Sequence, residues 1–145
     1  MAVLSECWVL APAVVAFLLP LLYLIINPPT ASQRLATFGG AELPQDATEL
    51  RYHFAGDGMT DYDDIYYFRC SSNETQRIIS SMRLKKDDSF SVTGHLEFHP
   101  RPGWPDFRQW TGPVQYRRDD EPAGWSYYLL TDKRHEQVYI SIGCI

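Results

Sequence analysis

Nothing limits the folding of this chain more than its beginning, where nineteen consecutive residues from Trp8 to Ile26 carry no charge. As a helix they would reach about 28 Å at roughly 1.5 Å per residue, close to the hydrocarbon thickness of a bilayer. Trp8 and Tyr23 fall near the two ends, where amphipathic rings prefer the headgroup level. Pro12 and Pro20 kink such a helix without forbidding it, and Asn27-Pro28-Pro29 ends it, because successive prolines cannot continue the hydrogen-bond ladder. A cleavable signal peptide would need a basic start and a shorter apolar run; Thr30-Ala31-Ser32 alone offers small residues for cleavage. Cys7 precedes the run instead of following it, against lipid attachment. The expectation is a retained single-pass anchor over residues 1–30.

Orientation rests on less. Arg34, just after the run, is the nearest positive residue and by itself would hold the domain after it in the cytoplasm. Against it, a single N-terminal span generally exports the domain it carries, and the cysteines suit an oxidising compartment. An extracytoplasmic, periplasmic domain is therefore expected.

The remaining length suits one domain. Thirteen Lys and Arg against eighteen Asp and Glu give a net charge of −5, with no basic run, which excludes an electrostatic nucleic-acid footprint. Three cysteines are too few for a disulfide-dense scaffold or a four-thiolate zinc site. Residues 31–48 show no sustained period and read as a tether, leaving 49–145 as the folded part.

Within it, residues 49–54 alternate polar and apolar, the period of a half-buried strand. Turn residues around Gly56-Asp57-Gly58 lead to a β-rich stretch, Asp64 to Cys70, that should pair back as a hairpin. Ser71-Ser72-Asn73-Glu74 has the form of a capping box. Thr75, Ile78, Ile79 and Met82 come next on one helical face, with Lys85 and Lys86 placed to suit the helix dipole. Phe90 to His99 alternates as a strand, and a proline-rich stretch from Pro100 to Pro113 interrupts the pattern. Val114–Arg118, Trp125–Thr131 and Gln137–Ile142 read as further strands, the last two joined by Asp132-Lys133-Arg134-His135. The expected fold class is α+β: one N-terminal transmembrane helix, then a small domain with an antiparallel sheet and one packed helix.

Several groups invite a chemical reading. His95-x-Glu97-x-His99 shares one strand face, but the outer histidines stand about 13 Å apart, too far for one metal, so no metal ligands are assigned. Asp57, Asp61, Asp63 and Asp64 lack the calcium-loop order and read as turn-formers. No Gly-x-Ser-x-Gly elbow, Ser-x-x-Lys or glycine-rich phosphate loop is present, and no catalytic residue or cofactor is assigned. Asn73-Glu74-Thr75 matches the glycosylation pattern but coincides with the helix start. Cys70 shares a strand face with Tyr66 and Phe68, and Cys144 one with Val138, Ile140 and Ile142. Both point to the core side, where a Cys70–Cys144 disulfide is expected, the alternative being two buried free thiols.

Trp104, Phe107, Arg108 and Trp110 lie in the proline-rich stretch. Prolines leave the loop few conformations to lose, while Trp and Arg are enriched at binding hot spots. These four residues are the expected protein-binding site; the alternative is that the rings fold back to cap the core.

Leu43-Pro44, Ala47-Thr48, Tyr52, Asp64 and Phe68-Arg69 before a capped helix resemble small membrane-anchored bacterial envelope proteins and lipoproteins, over residues 43–84. The resemblance implies an α+β ectodomain on an envelope anchor and carries over no catalytic residues.

The expected protein is thus a single-pass envelope protein of the bacterial cell membrane, held in the lipid bilayer through Trp8–Ile26. It acts as a protein-interaction module, either an accessory subunit of a membrane complex or an immunity-type protein. The alternative is a metal-assisted hydrolase using His95, Glu97 and a carboxylate of the acidic loop.

Overall fold

A computed structural model describes residues 27–56, 62–90, 101–120 and 123–144, with Ala16 and Leu18. The chain divides into two units, Met1–Thr30 and Ala31–Ile145. Among the described residues no helix is long and apolar enough to cross a membrane. The run Trp8–Ile26 lies outside them apart from Ala16 and Leu18.

The second unit is α+β, built on one antiparallel sheet. Its strands are β1 (Thr48–Ala55), β2 (Tyr62–Arg69), β3 (Lys85–Lys86), β4 (Val114–Asp120), β5 (Trp125–Thr131) and β6 (Gln137–Cys144). They lie in the order β1-β2-β6-β5-β4-β3, every neighbouring pair antiparallel. Consecutive strands β1–β2, β4–β5 and β5–β6 are neighbours, the last pair joined by a described turn at 132–136, and the insertion of β6 beside β2 joins the two halves. Ile65, Tyr66, Tyr67 and Phe68 of β2 are all buried, as are Val138 to Ser141 of β6. Consecutive burial on a strand means that both sheet faces are covered.

The first face carries α2 (Ser72–Ser81), whose Thr75, Ile78 and Ile79 are buried against the sheet. The helix stops with Arg83 at φ 55°, while the Arg83 and Leu84 N–H groups donate to Ser80 O and Ile79 O. This is the Schellman arrangement with an arginine in the usual glycine place, and Leu84 seals it by burying in the core. Lys85 and Lys86 are therefore not at the helix end as expected: the chain has already turned, and they form the short edge strand β3 on β4.

Residues 31–48 are not a tether. They open with α1 (Ala31–Arg34), continue as a π turn over Leu35–Gly39, and bury Leu35 and Ala41 in the same core as Ile78 and Ile140. A Cβ at Gly39 would stand 2.9 Å from Leu35 Cδ1 and 3.0 Å from Ile142 Cδ1, so a larger residue here would have to push these two methyl groups aside. Too short for a periodic pattern, the segment is held by these tertiary contacts instead of by propensity.

The capping box is also absent. Ser71 makes no side-chain cap bond, and Glu74 pairs with Arg77 at 2.8 Å. Asp46 accepts the Ser71 N–H at 3.0 Å in place of Glu74, reaching the helix start from the Leu43-Pro44 turn.

Candidate functional site

The second sheet face presents Ile65, Tyr67, Leu130 and Tyr139, and the proline-rich loop covers it. Tyr139 is the hub. Its ring lies 5.7 Å from Trp104, 5.8 Å from Trp110, 5.3 Å from Tyr67 and edge-on to Phe107 at 6.0 Å. Its hydroxyl donates to Pro105 O at 3.0 Å, and burial pushes its pKa up to about 12.

Within the loop, Gly103 at φ 78° permits the Trp104-to-Arg101 turn, and Asp106 caps a 3-10 turn over Phe107–Gln109. The Asp106 carboxylate also holds the Arg108 guanidinium at 2.7 and 2.8 Å. Of the four expected docking residues, Phe107 is 3% exposed and Trp104 and Trp110 are half-buried. Arg108 alone is exposed. The rings fold back on the sheet, the alternative the sequence left open, because a face bearing Tyr67 and Tyr139 needs an apolar cover.

Where this loop ends, it meets the β5–β6 turn: the Lys133 N–H donates to Thr111 O at 3.2 Å. Between them opens a cleft of about 650 Å³ with Trp110 as its apolar wall and Gln109, Arg69, Lys133 and Arg134 around it. Asp132 and Glu136 also line it, but Asp132 Oδ1 is engaged by the Glu136 and Gln137 N–H groups at 2.8 and 3.2 Å. Arg69 makes a long, exposed contact with Glu49, at 3.8 Å. Three cations against two carboxylates leave the lining a small positive excess beside an aromatic wall, a place that can receive a carboxylate-bearing chain segment. Of this lining, Trp110 is among the residues the sequence singles out; Arg69, Lys133 and Arg134 are not, since Arg69 comes from an element distant from the turn that carries the other two.

A second polar group lies inside the first face. Asp64 is fully buried and accepts from Arg34 Nε at 2.9 Å and from the Tyr52 hydroxyl at 2.7 Å. Burial and this bond to Asp64 push the Tyr52 pKa upward. On the opposite face, Asp63 accepts from the Ser141 hydroxyl at 3.0 Å, and burial raises its pKa. The acidic cluster thus divides by strand parity, one aspartate to each face; Asp57 and Asp61 lie outside the described residues, as do His95, Glu97 and His99. Among the described residues no three His, Cys, Asp or Glu side chains could hold one metal ion.

The two thiols share a face, as expected, but not a position along it. The Cys70 N–H donates to Glu136 O at the start of β6, while Cys144 stands opposite Tyr62 and Trp125 at its end. Eight residues of strand span roughly 26 Å, whereas disulfide Cα atoms lie about 4.4–6.8 Å apart. Both cysteines are free, so the Cys70–Cys144 bond is not made. The Cys70 thiol instead lies 3.3 Å from Thr75 Oγ1, and burial pushes its pKa up.

The architecture is that of an α+β domain with a helix on one sheet face and an aromatic loop on the other. No protein-family profile, curated protein or solved structure matches the chain.

Proposed function

We propose that this chain is a single-pass membrane-anchored envelope protein whose domain is a protein-interaction module, gripping an acidic segment of a partner in the cleft beside Trp110. The observation that carries this reading is the convergence of Arg69, Lys133 and Arg134 around one aromatic wall, three cations against the Asp132 and Glu136 carboxylates of the same lining, on a chain whose net charge is −5. Local positive charge on an acidic protein steers an acidic partner to one place and repels it elsewhere. The uncharged run Trp8–Ile26 supports the anchor, and folding from Ala31 onward supports a domain held close to it in sequence. An accessory subunit or an immunity-type protein would both use such a grip.

The test is a photoreactive residue at exposed Gln109 in the full-length chain, in cells. An adduct that forms there and disappears with Lys133→Glu plus Arg134→Glu supports the reading. No adduct, or one indifferent to the charge reversal, overturns it. The anchor is tested separately, by retention in the membrane pellet through an alkaline wash.

A further inference from the structure

Thr75 ties α2 to the cleft beside Trp110. On the helix face that also buries Ile78, Ile79 and Met82 it is the polar member, and it is fully buried. A β-branched residue is a poor helix former, and a buried hydroxyl costs free energy unless it is hydrogen-bonded. A straight aliphatic side chain would carry neither cost. The hydroxyl has one proton to give, and the shorter of its two backbone contacts takes it. That contact is His135 O at 2.7 Å, sixty residues away, against Ser71 O of the preceding helical turn at 3.4 Å.

His135 is where the β5–β6 turn reverses. Its φ of 59° is left-handed, a region that side-chain-bearing residues seldom adopt and that the surroundings have to hold. Its N–H donates to Asp132 O at 3.0 Å, closing the turn from within, while its carbonyl accepts the Thr75 hydroxyl from α2. Gln76 Nε2 lies 3.3 Å from His135 Nδ1, so two successive residues of α2 meet this one residue. Immediately before it in the chain come Lys133 and Arg134, both cations of the cleft lining. Immediately after it, Glu136 and Gln137 give their N–H groups to Asp132 Oδ1. A rotation of the backbone at His135 therefore moves both cations relative to Trp110. We infer that Thr75 is a positioning residue for the cleft: by fixing the His135 carbonyl, its hydroxyl sets where Lys133 and Arg134 stand. The inference deepens the reading of the cleft as a grip for an acidic segment, and rests on it.

The experiment compares two variants of the full-length chain. Thr75→Val keeps the volume and loses the hydroxyl, whereas Thr75→Ser loses a methyl group and keeps the hydroxyl. A residue that only fills space would make Val the milder change. Amide hydrogen exchange over residues 132–137 reports the turn, with β2 as the internal reference. Thr75→Val should raise exchange at the His135, Glu136 and Gln137 N–H groups about tenfold, the scale of one lost buried hydrogen bond, while Thr75→Ser stays near the unmodified chain. The adduct at Gln109 should fall in Thr75→Val and survive in Thr75→Ser. Where Thr75→Val does not fold, Thr75→Ala against Thr75→Ser makes the same comparison, since those two differ by the hydroxyl alone. A turn equally protected with and without the hydroxyl, exchange raised as much in β2 as in the turn, or a loosened turn with undiminished capture would overturn this inference alone. No adduct from the unmodified chain would overturn the reading of the cleft, and this inference with it.

Discussion

Arg34 donates through Nε to both carboxylate oxygens of Asp64, at 2.9 and 3.1 Å, across thirty residues of sequence. The pair pins α1 to β2, and the guanidinium lies over the rings of Phe38 and Phe54, at 5.4 and 4.6 Å from their centroids. The residue that sequence alone offers as a topology marker is a structural cation of the domain. Removing one partner leaves the other charge buried without its counterpart, which costs about 3–5 kcal/mol. Asp64→Ala should therefore lower unfolding stability by that much. Arg34→Met with Asp64→Leu, which removes both charges together, should recover most of it in urea titrations.

The loop over the second face divides into structural and peripheral residues. Phe107→Ala should destabilise by about 3–5 kcal/mol, the usual loss for a core aromatic, whereas Arg108→Ala should stay within about 0.5 kcal/mol. Thermal melts of the two variants side by side check this. Equal, small shifts would mean that the loop does not cover Tyr139.

Periodicity makes α2 legible because it buries one regular face, whereas β2 and β6, buried on both faces, are legible as β-rich runs between turn residues. Periodicity misses residues 31–48, where Leu35 and Ala41 enter the core from irregular backbone that has no period. The capping box misleads for a related reason: Ser71 does need a partner for its N–H, but Asp46 answers it from a distant turn, and sequence spacing sees only local candidates. Strand parity places Cys70 and Cys144 on one face correctly, yet parity says nothing about distance along an antiparallel pair. Parity also holds an unused signal for Asp64. Lying in phase with Tyr66 and Phe68, it has to face the core and so needs buried donors, which Arg34 and Tyr52 supply.

The Asp46 bond to the Ser71 N–H makes helix docking acid-sensitive. That hydrogen bond holds the carboxyl below the ordinary aspartate range. A group with a depressed folded-state pKa contributes stability above its unfolded value, about 3.9, and loses it as pH falls through the folded one. The intact chain should accordingly lose more stability on acidification than Asp46→Ala, which should begin lower at neutral pH. Parallel pH–stability curves for the two chains would contradict this.

Thiol chemistry separates the two described cysteines. Cys70 is buried with its pKa raised, and Cys144 is half-buried. Thiolate fraction and access both govern alkylation. Native-state alkylation with peptide mapping should label Cys144 well before Cys70, and both should label in denaturant without a reductant. A peptide linking the two under non-reducing conditions would reverse the register argument.

Trp110 has two roles that substitutions can pull apart. Its ring packs 5.8 Å from Tyr139 and 6.5 Å from Tyr67, so it belongs to the cover of the second face, while its exposed side walls the cleft. Trp110→Ala should weaken both folding and partner capture, with a smaller loss of stability than Phe107→Ala because the ring is only half-buried. Lys133 and Arg134 are exposed on the turn, and reversing them should leave melting within about 0.5 kcal/mol. The same reversal should abolish capture at Gln109, because rim charges govern encounter with an acidic partner. Capture by the unmodified chain should also fall as ionic strength rises, the mark of screened surface charge. If capture survives charge reversal and high salt but fails in Trp110→Ala at matched stability, the cleft recognises an apolar side chain and the acidic-segment reading is wrong.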